Sequence, residues 1–372
     1  MSANEVTGWR WPEEFPIIAG SGVGVAVAKS WGGVLSADTG MRVRVAAEDN
    51  VVHRLRYVAN GLFHITAGGT AKTRQMLVAE PAFAWRDGGP FPVRVAWSQS
   101  RDNAGFIVRA DSRIKTIYDI KPGTRMVRLS AAATSPIYDL LLAWAKVRKD
   151  EITWIAPKNA DDKIPAVMDG RADLSFAIPT SAPVYQAEKT PPGIRWIELN
   201  AAEDPEGARR ARAVDPLINF APIINGVPSS LGVWGTCGIS LYTTRAATDE
   251  DLVYHLAKWL DENWAKYRDL HSWNKYMTRE VLVQELEHTF LPCHPGLVRY
   301  LEELGLWTEA HQRRQKENIA LVDRYREAYR AAIDIADDKE IVVSPDSEKW
   351  LALWESRKKA LGLPDFHTSD SL

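Results

Sequence analysis

The chain has 372 residues, of which 45% are hydrophobic and 25% are charged, as in an ordinary globular protein. A formal net charge of −2 argues against nucleic acid or an anionic membrane as the main partner. No stretch approaches the roughly 20 apolar residues that a membrane-spanning helix needs. A chain of this length usually forms more than one hydrophobic core, so we expect two domains.

A short apolar strand that breaks into a glycine-rich turn opens the folded part of the chain, in the run FPIIAGSGVG at residues 15–24. A turn of this kind, followed by a helix, presents backbone N–H groups to an anion. Such turns occur at nucleotide-binding sites, at carboxylate-binding sites and where a helix packs closely against a strand. Val25 stands where the dinucleotide-binding pattern requires its third glycine, so we do not expect a dinucleotide site.

A helix that leads into a buried strand is predicted after this turn. Asp49 or Asn50 is suited to cap the helix, Gly61 to end it, and residues 63–67 to form the strand. The strand stops at the sequence GGT at residues 68–70. In open α/β sheets, ligands bind beyond the carboxyl ends of the strands.

The same order of elements recurs further along the chain. Asp161 or Asp162 is suited to cap a second helix, Gly170 to end it, and residues 172–178 to form a second strand. Other strands are predicted at 41–46, 93–97, 106–108, 125–129 and 233–243, and helices at 131–146, at 249–271 and over most of the chain from 295 onward. The pattern predicts an α/β fold with two similar lobes, in which the ends of the strands at 63–67 and 172–178 face one cleft.

The order and spacing of several segments resemble the TAXI solute-binding subunits of TRAP transporters. The segments lie at residues 17–22, 50–69, 108–115, 164–173, 252–254 and 294–296, and the resemblance spans about residues 15 to 310. It implies a two-lobed, type II periplasmic-binding-protein-like α/β fold with a hinge near residues 107–111 and 232–238. Lobe 1 is expected at 1–108 and 235–294, lobe 2 at 109–234, and a helical C-terminal extension that packs on the lobes at 295–372.

The resemblance also implies a cleft between the lobes that binds a small organic anion, in our interpretation a carboxylate held by N–H and O–H donors. By position, the ligand-binding residues are expected to be Gly20, Ser21, Gly22, Gly68, Gly69, Thr70, Ser98, Gln99, Ser130, Thr134, Ser135, Thr180, Ser181 and Trp234. No cofactor and no metal site are expected. The implied partner is a TRAP membrane permease, if the protein is exported.

Two departures from the TAXI pattern bear on the ligand and on the location. Val23 and Val25 occupy positions of the first turn that are usually small or polar in that family, which suits a larger or more apolar ligand or reflects a change in packing. The amino terminus lacks a basic segment followed by an apolar one. We therefore expect a cytoplasmic protein from the sequence as it stands, and a periplasmic one if it is a trimmed mature form.

An enzyme on the same fold is the alternative, such as an aromatic-acid decarboxylase or desulfinase. Cys237 is the candidate nucleophile and His64 the candidate base, and each residue also suits a structural role. Cys293 and His294 lack a second ligand pair at zinc spacing, and His294 is better suited to cap or pack the turn before the next helix. In a basic cluster at residues 42, 44, 54 and 56, one arginine entering the cleft would suit a dicarboxylate.

Overall fold

The computed structural model describes residues 9–128, 136–158 and 162–367. The chain divides into two compact units: unit 1 comprises residues 1–101 and 239–372, and unit 2 comprises residues 102–238. The boundaries predicted from sequence lie at 108/109 and 234/235. The observed boundaries fall inside the two long strands β4 and β10.

The strands are β1 (Glu14–Ala19), β2 (Arg42–Ala47), β3 (Ile65–Gly69), β4 (Val93–Arg109), β5 (Arg125–Val127), β6 (Thr153–Ile155), β7 (Ser175–Ala177), β8 (Ile194–Ile197), β9 (Asn219–Pro222) and β10 (Trp234–Arg245). The helices are α1 (Val23–Thr39), α2 (Val51–Ala59), α3 (Thr70–Leu77), α4 (Pro136–Ala145), α5 (Lys163–Met168), α6 (Ala182–Lys189), α7 (Pro205–Val214), α8 (Glu250–Glu262), α9 (Trp264–Tyr267), α10 (Arg279–Leu286), α11 (Pro295–Glu303), α12 (Glu309–Asp338) and α13 (Glu348–Ala360). The mixed α/β class predicted from the sequence is confirmed.

In unit 1 the central strand β1 pairs in parallel with β2 on one side and with β3 on the other. The last part of β10 then pairs antiparallel with β3, with Tyr242 opposite Ala67. The buried Trp31 of α1 donates a hydrogen bond from Nε1 to the Tyr242 hydroxyl at 2.9 Å, which fixes the helix on the sheet. Because β1, β2 and β3 run in the same direction, their carboxyl ends share one edge of the sheet.

Unit 2 is built around the second part of β4, which pairs antiparallel with β7 and β8. The first residues of β10 pair antiparallel with β9, and β5 pairs in parallel with β6. In the core, Trp144 meets Phe220 edge to face, with ring centroids 4.9 Å apart. The indole of Trp144 also donates to the carboxylate of Asp204 at 2.7 Å, and this carboxylate caps α7 by accepting the Gly207 N–H.

The C-terminal helices belong to unit 1, where two buried tryptophans anchor α13. Trp350 Nε1 donates to the carbonyl of Ala84 at 2.7 Å, and Trp354 Nε1 donates to the carbonyl of Val78 at 3.0 Å. Tyr329 of α12 donates from its hydroxyl to the carbonyl of Trp85 at 3.0 Å. The extension therefore satisfies carbonyl groups in the segment that follows α3.

Several predicted elements differ from the observed ones, among them the strand expected at 172–178, which is the shorter β7. The two strands expected at 93–97 and 106–108 are one continuous strand, β4, because the polar residues between them continue the extended chain. The helix expected over 249–271 ends at Glu262 and is followed by the short α9 after Asn263. The strand expected from residue 63 begins at Ile65. No helix of the described ranges combines the length and the hydropathy needed to span a bilayer.

Candidate functional site

The carboxyl edge of the unit 1 sheet gathers three loops that each lead into a helix. The loop after β1 starts α1, the loop after β2 starts α2, and β3 passes directly into α3. The first N–H groups of a helix have no partner within that helix, and the helix dipole makes this end partly positive. The arrangement is suited to hold an anion, as the sequence predicted for the first and third of these loops.

The β1–α1 loop presents backbone donors at Ser21 and beyond. Ser21 donates its N–H to Asp49 Oδ1 at 2.8 Å, and this bond lowers the pKa of the Asp49 carboxyl below its usual range. Gly22, which precedes α1, has φ +67° and ψ −113°, a conformation that favours glycine. Val23 and Gly24 have no acceptor for their N–H groups among the described residues. The loop thus binds one carboxylate of the chain itself and keeps two further donors.

Arg54 of α2 lies against this loop, half-buried. Its Nη1 donates to the carbonyl of Glu48 at 2.7 Å and to that of Asp49 at 3.3 Å. A methyl group at Gly20 would lie 3.4 Å from the same nitrogen, so the guanidinium lines the β1–α1 loop. Its buried Nε has no hydrogen-bond partner among the described residues. Burial lowers the pKa of Arg54 from its usual value, yet the group stays cationic.

The β3–α3 turn places Gly68, Gly69 and Thr70 at the same edge. Gly69 is exposed and precedes α3, whereas Thr70 is buried. Gly68 and Gly69 also pair with β10, so their backbone is held in the sheet up to the point where the helix starts. Because β1 and β3 are parallel neighbours, the structure brings this turn and residues 20–22 to one edge of unit 1.

Ser98 and Gln99, also predicted from the resemblance, are buried in β4 within unit 1. The Ser98 hydroxyl donates to the carbonyl of Tyr276 at 3.2 Å. The Gln99 side-chain oxygen accepts from the Ser240 hydroxyl at 2.7 Å. Both side chains thus have partners inside unit 1.

The remaining predicted ligand residues fall in unit 2 or outside the described part of the chain. Thr180 is exposed and Ser181 precedes α6, where its hydroxyl makes no capping hydrogen bond. Trp234 is half-buried against the unit 2 core. Ser130, Thr134 and Ser135 lie outside the described residues. The side chain of Ile178, just before Thr180, is 50% exposed, an apolar feature that the sequence prediction did not single out.

The two candidate catalytic residues lie in different units. Cys237 is buried in β10 at a position assigned to unit 2, with Sγ 3.7 Å from the carbonyl oxygen of Gly238. His64 lies in unit 1 directly before β3, stacked on Phe15 with ring centroids 5.1 Å apart, and burial lowers its pKa. At about 3.3 Å per residue, the strand separates His64 from Gly69 by roughly 16 Å.

Asp49 and Arg54 are the residues of this edge that sequence reasoning did not assign to the site. Asp49 was considered as a helix cap, but Asn50 has that role, since its side chain accepts the Val52 N–H at 2.9 Å. Arg54 belonged to a cluster of four arginines, and nothing in its spacing distinguished it. In the described ranges, no cluster of three or more histidine, cysteine or acidic side chains is placed to hold a metal ion.

These features define an α/β protein of two units. The carboxyl edge of the unit 1 sheet, with the turns at residues 20–24 and 68–70, is suited to bind an anion and is called the loop edge below. The profile of the NMT1-like family matches residues 22–305, more than half of the chain, and the protein belongs to this family. A search among curated proteins finds no match.

Several solved structures are similar to the chain at low identity. The periplasmic aliphatic sulphonate binding protein SsuA from Escherichia coli is 16% identical, with 85% of this chain and 88% of that chain covered and a TM-score of 0.40. The probable amino-acid ABC transporter extracellular-binding protein ytmK from Bacillus subtilis is 11% identical, with coverages of 71% and 98% and a TM-score of 0.39. The L-cystine solute receptor of Neisseria gonorrhoeae is 12% identical, with coverages of 68% and 92% and a TM-score of 0.37.

Proposed function

We propose that the protein is a solute-binding protein that holds the carboxylate of a small organic anion at the loop edge of unit 1. The observation that supports this most directly is the hydrogen bond from the Ser21 N–H to the Asp49 carboxylate. It shows that the backbone of this loop accommodates a carboxylate oxygen at hydrogen-bonding distance. The N–H groups of Val23 and Gly24 lie next in the chain and have no acceptor among the described residues.

The electrostatics of the edge support an anionic ligand. The dipole of the 17-residue helix α1 places partial positive charge at the loop. The half-buried Arg54 adds a positive charge beside Gly20, which the carboxylates of Asp49 and Glu48 partly offset. Charge-assisted hydrogen bonds from N–H groups to a carboxylate are roughly twice as strong as neutral ones. A carboxylate on these donors would need no further cation.

An exposed apolar side chain at the loop edge suggests that the ligand also has an apolar part. Val23 is 47% exposed at the first position of α1. The TAXI resemblance makes a TRAP permease the proposed partner if the protein is exported.

A charge introduced at Val23 tests the proposal without disturbing the fold. An aspartate is favourable for a helix at its first position, so Val23→Asp should fold normally. It would place a negative charge among the proposed donors and repel an anionic ligand. Val23→Asn is the matched neutral control. A set of aliphatic and aromatic carboxylates, each with its neutral amide, is screened by ligand-induced thermal stabilisation.

We expect at least one carboxylate to stabilise the native protein while its amide does not. We also expect Val23→Asn to retain that stabilisation and Val23→Asp to lose it, with the ligand recovered chemically unchanged. Equal binding of the carboxylate by both variants would refute the proposed location. Consumption of the ligand would favour the alternative enzyme.

A further inference from the structure

A second pocket in unit 1 is lined by four arginines from distant parts of the sequence. It has a volume of about 490 Å³, within the range of small-molecule sites. Arg56 comes from the end of α2, Arg86 from the loop before β4, and Arg326 and Arg330 from one face of α12. Asp87 is the only acidic residue among the described residues that line it.

Two of the four arginines are matched by carboxylates of α12. Arg86 makes a two-pronged ion pair with Asp337, at 2.9 and 2.5 Å, and the pKa of Arg86 is raised by this pairing. Arg326 donates to Asp323 at 3.0 Å through one nitrogen. These two guanidinium groups are therefore held in position by the protein itself.

The guanidinium groups of the other two arginines make no hydrogen bond with a described residue. Arg56 forms an ion pair with Asp87 at 3.5 Å, and its guanidinium stacks 4.7 Å from the ring centre of Trp85. The Arg330 side chain is exposed and has neither a hydrogen bond nor an ion pair within the described ranges. One of these side chains is on α2 and the other on α12, so a ligand in the pocket meets cations from both elements.

The pocket is separate from the proposed carboxylate site. Helix α2 begins at the loop edge, where Asn50 caps it, and it reaches the pocket only with Arg56 and Asn60 at its far end. The matched NMT1-like region ends at residue 305, whereas α12 begins at Glu309. The pocket therefore depends on a helix that lies outside the matched region.

From these contacts we propose that the pocket binds a phosphate-bearing small molecule. Guanidinium groups match the oxygens of phosphate in a two-pronged geometry. A phosphate monoester carries up to two negative charges at neutral pH and can engage both Arg56 and Arg330. Pro90, Phe91, Pro92 and Ile333 form an apolar wall of the same pocket, against which the organic part of the molecule packs.

The test is a calorimetric titration of the full-length protein at low ionic strength. The probes are phenyl phosphate, inorganic phosphate, benzoate as the singly charged analogue and phenol as the neutral one. The variants are Arg330→Gln and Arg56→Gln. Arg313→Gln is the matched control, because Arg313 is exposed on the same helix. It lies about 25 Å along the helix from Arg330, at 1.5 Å per residue.

We expect phenyl phosphate to bind more tightly than inorganic phosphate and benzoate, and phenol not to bind. Arg330→Gln and Arg56→Gln should each weaken phenyl phosphate binding by about tenfold or more, whereas Arg313→Gln should leave it unchanged. Absence of binding, equal binding by the variants, or benzoate binding as tight as that of phenyl phosphate would overturn the inference. Val23→Asp should leave the affinity for phenyl phosphate unchanged. If this variant no longer binds phenyl phosphate, the probe binds at the loop edge and not in the arginine pocket.

Discussion

Protonation of His294 should weaken unit 1 as the pH falls from neutral towards about 4. The ring is almost fully buried before α11, where Nδ1 accepts the Gly296 N–H at 3.2 Å and Nε2 contacts the Thr248 carbonyl at 3.1 Å. The Nδ1 contact requires that nitrogen to be unprotonated, so the neutral ring carries its proton on Nε2. Burial lowers the pKa of His294 to about 4. In the unfolded chain the ordinary pKa is about 6.5.

Between these two pKa values the unfolded chain binds a proton that the folded protein does not. The stabilisation is therefore fully present above about pH 6.5 and is lost progressively as the pH falls towards 4. A difference of this size corresponds to about 3 kcal/mol of unfolding free energy at its full extent. Burial also lowers the pKa of His64, His255 and His311, so the native protein alone cannot isolate the contribution of His294.

The assay is urea denaturation from pH 4 to pH 8, on the native protein and on His294→Gln. Glutamine is uncharged over this range and retains a side-chain acceptor for the Gly296 N–H. The variant should lose less stability than the native protein as the pH falls from 6.5 to 4, by an amount of order 2 to 3 kcal/mol. Parallel pH profiles for the two proteins would refute the assignment of this titration to His294.

Three further predictions concern stability. Trp354→Ala should destabilise unit 1 by about 3–5 kcal/mol in urea denaturation, because it removes a buried ring and its hydrogen bond to the Val78 carbonyl. The control Val342→Ala, at an exposed site, should change the free energy of unfolding by less than about 0.5 kcal/mol. Equal effects of the two substitutions would contradict the docking of α13. Gly33→Ala should stabilise α1 by about 0.5–1 kcal/mol, because the added methyl group meets open space. Gly32→Ala must displace the Val43 side chain, which would lie 2.9 Å from the new methyl group, so its thermal unfolding temperature should be lower than that of Gly33→Ala. The reverse order would contradict the packing of α1 on β2. The hydrogen bonds from Arg171 lower the pKa of Asp162 to about 2, so this carboxylate stabilises unit 2 above about pH 4, and the stabilisation is lost as the pH falls towards 2. Asp162→Asn should remove this part of the acid unfolding followed by circular dichroism. An unchanged acid unfolding profile would contradict the prediction.

Local patterns in the sequence predicted much of the fold. The helix cap was predicted at Asp49 or Asn50, and Asn50 is the observed cap. The stop at Gly61 and the return strand β10 were also predicted from neighbouring residues, and both are observed. The expected cap role of His294 is also confirmed. These features depend on hydrogen bonds and backbone conformations within a few residues, which the sequence states directly.

Features that depend on distant residues could not be predicted in this way. The continuity of β4 is set by its pairing partners, and the polar residues in its middle resembled a break between strands. The arginine pocket joins Arg56 to Arg330 across most of the chain. Only the four-residue spacing of Arg326 and Arg330 indicates from the sequence that these two side chains lie on one face of a helix.

Mass spectrometry of the small molecules released from the natively purified protein tests the central claim most directly. The protein is taken from its own host without added ligand, denatured, and its released molecules are identified and quantified against protein. We predict an intact organic carboxylate at near-stoichiometric occupancy, and its loss from Val23→Asp purified in the same way. A protein that releases no organic anion, or that releases an acid together with its decarboxylated or desulfinated product, would contradict the proposed solute-binding function.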